Sequence, residues 1–249
     1  MGGAADAVPA LRRATAAGAE AKALARLAKD PQLVREMENF AKAAAKATDA
    51  KAALRDPRIL NVLLPALGLP DAVGQSGLAL RALTADPKDK DGLLARLPDG
   101  RWKAAAATLN LRERGVAALR DPKVQASLAD GLRRLAWREE LDTAQPGVGD
   151  ALLFRQSAAS AKTAYDALGD PVLRRVLTAA LGLPPGIAVQ SVEAQARALT
   201  SRLDLAKLQD PREVAKLAER YVVAAAGSGP SGGAASPLLA LFPAGGLLA

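Results

Sequence analysis

The stretch LRDPRILNVLLPALGLP, residues Leu54–Pro70, contains the signals for one complete helix. Asp56 can accept hydrogen bonds from the free N–H groups at a helix start, and Pro57 suits the first helical position because its missing N–H had no partner there. The apolar residues that follow have the spacing of one buried stripe; they are Ile59, Val62, Leu63, Ala66 and Leu67. Gly68 can adopt the left-handed conformation that ends a helix, and Pro70 prevents the helix from continuing.

Nearly the same phrase, LGDPVLRRVLTAALGLP, occurs at Leu168–Pro184. The tetrapeptide RALT also occurs twice, at Arg81–Thr84 and Arg197–Thr200, in the same order relative to the phrase. A conserved order with drifting spacing is typical of a duplicated unit whose loops vary. The first phrase has Pro65 where the second has Ala179, which predicts a kink near Pro65 and the loss of the bond to the carbonyl of Asn61.

The dipeptide Asp-Pro occurs six times, and each occurrence predicts the start of a helix. The pairs are Asp30-Pro31, Asp56-Pro57, Asp86-Pro87, Asp121-Pro122, Asp170-Pro171 and Asp210-Pro211. Alanine, leucine, arginine, lysine and glutamate dominate long windows, and these are strong helix formers. The sequence therefore predicts an all-α protein, in which duplicated helical lobes form one elongated or two-lobed helical domain.

Five regions follow from this organisation along the chain. We predict a partly helical N-terminal segment, a first helical lobe, connecting helices, a second lobe that repeats the first, and a Gly/Ser/Pro linker with an apolar tail. Their expected limits are residues 1–24, 25–115, 116–144, 145–226 and 227–249.

The residue types available restrict the chemistry. The chain has no cysteine and no histidine, which excludes disulfides, thiolate nucleophiles, imidazole bases and Cys/His metal sites. It has no G-x-x-x-x-G-K-[ST] motif, and the glycine-rich stretch GSGPSGG at Gly227–Gly233 precedes no predicted helix and follows no predicted strand, so it is not expected to bind phosphate or to present a nucleophile. The Asp-Pro acids are expected to be helix caps, and Glu36 with Glu38, Glu139 with Glu140 and Asp89 with Asp91 are expected on solvated faces. We predict a non-enzymatic protein with no catalytic, cofactor-binding or metal-binding residue.

The four Trp and Tyr residues are also expected to be structural. Trp102 and Trp137 are interpreted as core or interface anchors. Tyr165 and Tyr221 are expected to pack with their hydroxyl groups toward water.

The net charge of +8 raises the hypothesis of nucleic-acid binding. The basic residues are spread thinly from Arg12 to Arg220, however, and aromatic residues that could stack on bases make up 3% of the chain. The sequence thus favours other functions over nucleic-acid binding. No window has 18 consecutive strongly apolar residues and no signal peptide is recognised, so no membrane span is expected.

The C-terminal stretch LLALFPAGGLLA follows a linker rich in glycine and serine. It is interpreted as a tail that packs on the body or stays loose, or as a partner-binding segment, since exposed apolar residues tend to find a surface. The candidate partner contacts are Leu238, Leu239, Leu241 and Phe242.

With these motifs in view, the chain resembles the family called domain of unknown function 1217. The segment from REMENF at Arg35–Phe40 through DPRILNVLLPALGL at Asp56–Leu69 carries the resemblance, together with GLLARLPDGRWKAAAATLNL from Gly92 and the stretch from Ser160 to Val223. Members usually have an aromatic residue before the glycine, where this chain has Leu67 and Leu181. The resemblance implies an association with flagella of alpha-proteobacteria, because genes of the family recur beside flagellar genes, and it implies no functional residues.

The leading hypothesis is a structural or export-linked flagellar component that acts through protein–protein contacts, located in the flagellum or outside the cell by flagellar export. The alternative is a cytoplasmic helical adaptor that binds a protein partner through its apolar tail. A basic nucleic-acid binder ranks below both, and no cofactor is expected.

Overall fold

The computed structural model describes residues 3–227, and within this range the chain forms helices and turns with no β-strand. The all-α fold class predicted from the sequence is therefore confirmed. The α-helices are α1 (Ala4–Ala14), α2 (Ala19–Leu27), α3 (Pro31–Lys46), α4 (Ala50–Ala53), α5 (Pro57–Ala66), α6 (Ser76–Leu83), α7 (Leu93–Arg96), α8 (Arg101–Leu109), α9 (Leu111–Arg114), α10 (Ala117–Arg120), α11 (Pro122–Ala144), α12 (Val148–Ser157), α13 (Ala164–Gly169), α14 (Pro171–Ala180), α15 (Val192–Thr200) and α16 (Pro211–Gly227). Short 3₁₀-helices occupy Pro70–Ala72, Ala158–Ser160, Pro185–Val189 and Leu205–Gln209.

Five of the six Asp-Pro pairs begin an α-helix. In each of the five, the aspartate carboxylate accepts a hydrogen bond from the backbone N–H two residues later, at 2.8 or 2.9 Å. The proline takes the first helical position, where it loses no bond. The helices that begin this way are α3, α5, α11, α14 and α16.

The sixth prediction, a helix beginning at Asp86-Pro87, is wrong. Asp86 accepts from the N–H of Lys88 at 2.8 Å and Asp89 accepts from the N–H of Asp91 at 3.0 Å, so the chain forms successive turns until α7 begins at Leu93. Residues 88–92 are Lys, Asp, Lys, Asp and Gly, which offer no apolar side chain to bury. A capped start without an apolar stripe to pack does not yield a stable helix.

The two copies of the repeated phrase fold in the same way locally. Helices α5 and α14 are each ten residues long and each ends at a glycine with positive φ, +78° at Gly68 and +60° at Gly182. The next residue closes the end, because Leu69 donates to the carbonyl of Leu64 and Leu183 donates to that of Thr178, at 2.8 and 2.9 Å. This is the Schellman arrangement expected from the glycine. The duplication of whole lobes remains a prediction.

Pro65 is the penultimate residue of α5. The proline therefore lies in the last turn of the helix, where the chain stops shortly afterwards. Since Pro65 has no N–H, the carbonyl of Asn61 loses the donor that would normally lie four residues later.

The buried side chains form two separate cores. The first core uses residues from Phe40 to Leu132, contributed by α3 to α10 and the first half of α11. The second core combines Ala7 to Leu27 with residues from Trp137 to Val222, so the N-terminal helices pack with the C-terminal part of the chain. Helix α1 lies against α16 and α12, and its Arg12 pairs with Glu219 at 3.0 Å. The structure does not test the predicted domain limits, which remain predictions.

Helix α11 connects the two cores, because its first half packs on the first core and its second half on the second. Its contact with α5 is close: a Cβ at Gly131 would lie 2.1 Å from the carbonyl oxygen of Ala66. A second close approach joins the C-terminal half to the first core, since a Cβ at Gly169 would lie 2.0 Å from the carbonyl oxygen of Pro98. Glycine is needed at both positions because backbone meets backbone.

Candidate functional site

The carboxylates that are close together in the sequence are not grouped into a site, and some of them have structural partners. Within residues 3–227, no group of three or more Asp or Glu side chains is arranged to hold a metal ion. Asp89 accepts a backbone N–H in a turn, and Glu140 pairs with Arg26. The prediction that the chain has no catalytic, metal-binding or cofactor-binding residue remains a prediction.

A groove lies where α3, α5 and α11 meet, at the junction of the two cores. It has a volume of 630 Å³, and we call it the acidic groove. It is lined by Leu27, Asp30, Gln32, Leu33, Glu36, Asn61, Pro65, Leu132, Leu135, Ala136, Glu139, Glu140 and Thr143. Four of these residues are acidic and none is basic, in a chain whose net charge is +8.

A second groove of 300 Å³ lies on the other side of the same junction. Leu27, Leu33 and Leu132 line both grooves and therefore form the wall between them. The second groove has Glu38 and Arg133 as its charged residues, so its charges balance. Glu36 and Glu38 thus lie at different grooves, as expected for residues two positions apart on a helix.

A network of polar side chains connects α12, α14 and α16. The Asp150 carboxylate accepts from the Tyr221 hydroxyl at 2.9 Å and from the Arg175 guanidinium at 2.6 and 2.8 Å. Burial raises the pKa of the Tyr221 hydroxyl, and the neighbouring Asp150 carboxylate raises it further. The expectation that the Tyr221 hydroxyl faces water is wrong, because Tyr221 is 5% exposed and its hydroxyl donates to the half-buried Asp150 carboxylate. Tyr165 is 53% exposed.

Asp142 lies beside this network, at the end of α11. Its carboxylate accepts from the backbone N–H of Gly149 at 2.8 Å and so ties α11 to the start of α12. Burial raises the pKa of Asp142 to about 6, and the Asp150 carboxylate adds to that effect. These charged side chains hold helices together. No sequence pattern indicates the network, because Asp150, Arg175 and Tyr221 are far apart in the chain.

A third cavity, of 480 Å³, lies between α1, α2 and the turn after α11. Trp137 and Gln145 line it, together with Asp6 and Arg13 near its mouth. Gln145 is 4% exposed, and its side-chain Nε2 has no hydrogen-bond partner among residues 3–227. Trp137 and Trp102 are 8% and 4% exposed, in the second and first core respectively, which confirms that both are core anchors.

The candidate partner contacts at the C-terminal tail, Leu238, Leu239, Leu241 and Phe242, lie outside the described residues. In the described range, no helix combines the length and the apolar character that crossing a membrane requires. The acidic groove was not predicted, because its walls come from helices that are separated by up to about a hundred residues in sequence.

The comparisons with known proteins give a family and a similar fold. The family model described as "Protein of unknown function (DUF1217)" matches residues 66–214. No curated protein sequence matches the chain. The crystal structure of protein AGR_C_984 from Agrobacterium tumefaciens is similar over 87% of this chain and 91% of that one, with 26% identity and a TM-score of 0.70. The two proteins therefore share an all-α fold.

Proposed function

Since the chain belongs to the DUF1217 family of proteins of unknown function, we propose that it is a non-enzymatic helical protein that acts through protein–protein contacts as a structural or export-linked component of the flagellum. The flagellar part of the proposal draws on the gene neighbourhood that the family resemblance implies. The part that concerns protein contacts draws on the surface of the molecule.

The acidic groove is the observation that carries this proposal. Leu33, Leu135 and Ala136 line it and are only partly buried, beside the buried side chains of Leu27 and Leu132. Apolar surface in a groove gains free energy when a partner covers it. The groove also lies at the junction of the two cores, where a bound partner would contact helices from both.

The roles of the buried polar groups support a non-enzymatic function. Asp150, Arg175 and Tyr221 satisfy one another, and Asp142 binds the backbone of Gly149. Aspartates at helix starts are occupied by backbone N–H groups. These groups are committed to holding helices in place, as expected of a protein that works by binding.

The test is deletion of the gene, followed by measurement of motility, flagellar composition and secreted protein. We expect at least one of the three to change, and the protein to fractionate with flagella or the culture medium when the flagellar export apparatus works. In cells that lack the apparatus, the protein should remain in the cytoplasm. A cytoplasmic location in both strains, with unchanged motility, would refute the flagellar assignment and favour the cytoplasmic adaptor.

A further inference from the structure

The acidic groove has the length of a short helix. Its wall on α11 runs from Leu132 to Thr143 and includes Leu135, Ala136 and Glu139, which all lie on one face of that helix. Eleven residues of rise correspond to about 16 Å, or about three helical turns. A bound helix of similar length would therefore contact this wall along its full extent.

The floor of the groove is apolar and the rim is acidic. Leu27 and Leu132 are 3% and 5% exposed, and Leu33, Pro65 and Leu135 beside them are partly exposed. The acidic residues at the rim are Asp30, Glu36, Glu139 and Glu140. An apolar floor with charges at its edges is the surface that receives an amphipathic helix, whose apolar face lies in the groove and whose charged flanks meet the rim.

The rim acids are only partly neutralised. Arg26 pairs with Glu140 at one end, and Asp30 caps α3. The Glu36 carboxylate accepts a hydrogen bond from the Gln32 amide and has no cationic partner among residues 3–227. The Glu139 carboxylate has no ion pair or hydrogen bond in that range either, although its charge acts on the guanidinium of Arg138, which does not line the groove. Two glutamates at the rim are thus available to a positively charged partner.

We propose that the acidic groove binds a basic amphipathic helix of about three turns, with leucine-like residues on the floor and lysine or arginine side chains at Glu36 and Glu139. The assignment rests on the proposed function, and it names the class of partner. The net charge of +8 means that the chain as a whole repels basic peptides. Binding of a basic peptide would therefore indicate a local acidic surface such as the groove.

The experiment uses the full chain and a synthetic leucine–lysine peptide of about 14 residues with leucines at helical spacing, about four turns long. The chain has no cysteine, so Thr143→Cys creates a unique labelling site at the end of the groove for an environment-sensitive dye. Thr108→Cys on α8 is the matched control, because both threonines are exposed and each donates to the carbonyl four residues earlier at 2.9 Å. We expect saturable binding of the peptide to change the dye signal at 143 and not at 108.

Charge variants then test the rim. Glu36→Gln with Glu139→Gln should weaken peptide binding about threefold to tenfold, as expected for two exposed ion pairs. Glu38→Gln with Glu193→Gln removes the same charge outside the groove and should leave binding unchanged. A peptide with the same composition but no helical segregation of leucine, and one with glutamate in place of lysine, should bind at least tenfold more weakly.

Equal effects of the two double variants, equal binding of the rearranged peptide, or a signal change at 108 alone would overturn the assignment. Self-association that Glu36→Gln with Glu139→Gln abolishes would identify a second copy as the occupant instead. Peptide binding that occurs only after removal of residues 228–249 would identify the chain's own terminus. If the peptide does not bind but deletion of the gene still impairs motility, the groove assignment fails while the proposed function stands.

Discussion

The contact between α11 and α5 gives a sharp prediction for Gly131→Ala. In an exposed helix interior this change stabilises, because alanine has a higher helix propensity by about 1 kcal/mol. Gly131 is different because its backbone faces the end of α5. A Cβ there would lie 2.1 Å from the carbonyl oxygen of Ala66 and 2.9 Å from its carbonyl carbon.

These neighbours are backbone atoms and cannot rotate away. Relieving the contact requires α11 and α5 to separate by about 1 Å, which disturbs the packing between Gly131 and the first core. Overpacking of this kind costs about 1–3 kcal/mol, and the rigid neighbour favours the upper end. After subtracting the gain in propensity, we expect a net loss of about 2 kcal/mol in the free energy of unfolding and a fall in Tm of about 4–8 °C.

Urea unfolding followed by circular dichroism measures the change. Gly77→Ala is the control, because Gly77 lies in α6 and a Cβ there would have no atom within 4 Å. That variant should be as stable as the wild type or more stable, by up to about 1 kcal/mol. If Gly131→Ala unfolds at the same urea concentration as Gly77→Ala, the close approach of α11 to α5 is wrong.

Three further predictions concern polar groups, each measured by urea unfolding. Because the folded pKa of Asp142 is raised to about 6, its contribution to stability is present below about pH 4 and is lost as the pH rises through 6. The free energy of unfolding of Asp142→Asn should therefore equal that of the wild type at pH 4 and exceed it by about 1–2 kcal/mol at pH 8. Parallel pH profiles of the two proteins would contradict this prediction. Asp170→Ala should lower the free energy of unfolding by about 1–2 kcal/mol, because the Asp170 carboxylate accepts hydrogen bonds from two N–H groups at a buried helix start. Asp86→Ala should lower it by less than half as much, because Asp86 begins only a turn. Gln145→Met should stabilise the protein by about 1 kcal/mol, because it removes an unpaired buried amide. Gln195→Met should destabilise the protein, because the Gln195 amide donates to the Gln190 carbonyl at 2.9 Å. A lower free energy of unfolding in both variants would show that the Gln145 amide is satisfied.

The local parts of the fold could be predicted from the sequence because their causes are local. Asp56, Pro57 and Gly68 specify the start and end of a helix through contacts within a few residues, and the structure has both where expected. The failure at Asp86 shows the limit of this reasoning. The Asp86 carboxylate still accepts a backbone hydrogen bond, but the residues that follow have no apolar side chain to bury. No helix therefore forms there.

The parts that depend on distant residues could not be predicted. The Asp150–Tyr221 hydrogen bond joins residues 71 positions apart, and nothing near Tyr221 in the sequence indicates that its hydroxyl has a carboxylate partner. The acidic groove is a similar case. Glu36 is half-buried on α3 and Glu139 is exposed on α11, and they form one rim only because α3 and α11 pack together. A sequence pattern reports the face of one helix and not which other face lies opposite it.

Three of the arginines have a structural role that follows from the many short helices of the chain. Each helix leaves carbonyl groups without partners at its C-terminus, and arginine can satisfy several of them at once because its guanidinium has five N–H donors. Arg101 donates to the Gly68 carbonyl after α5 at 2.6 Å, and Arg202 donates to the carbonyls of Leu181 and Gly182 after α14, both at 2.8 Å. Arg120 does the same after α3, at the carbonyls of Ala44 and Ala47. Arginines used in this way place positive charge at the C-terminal ends of helices, where it also interacts favourably with the helix dipole.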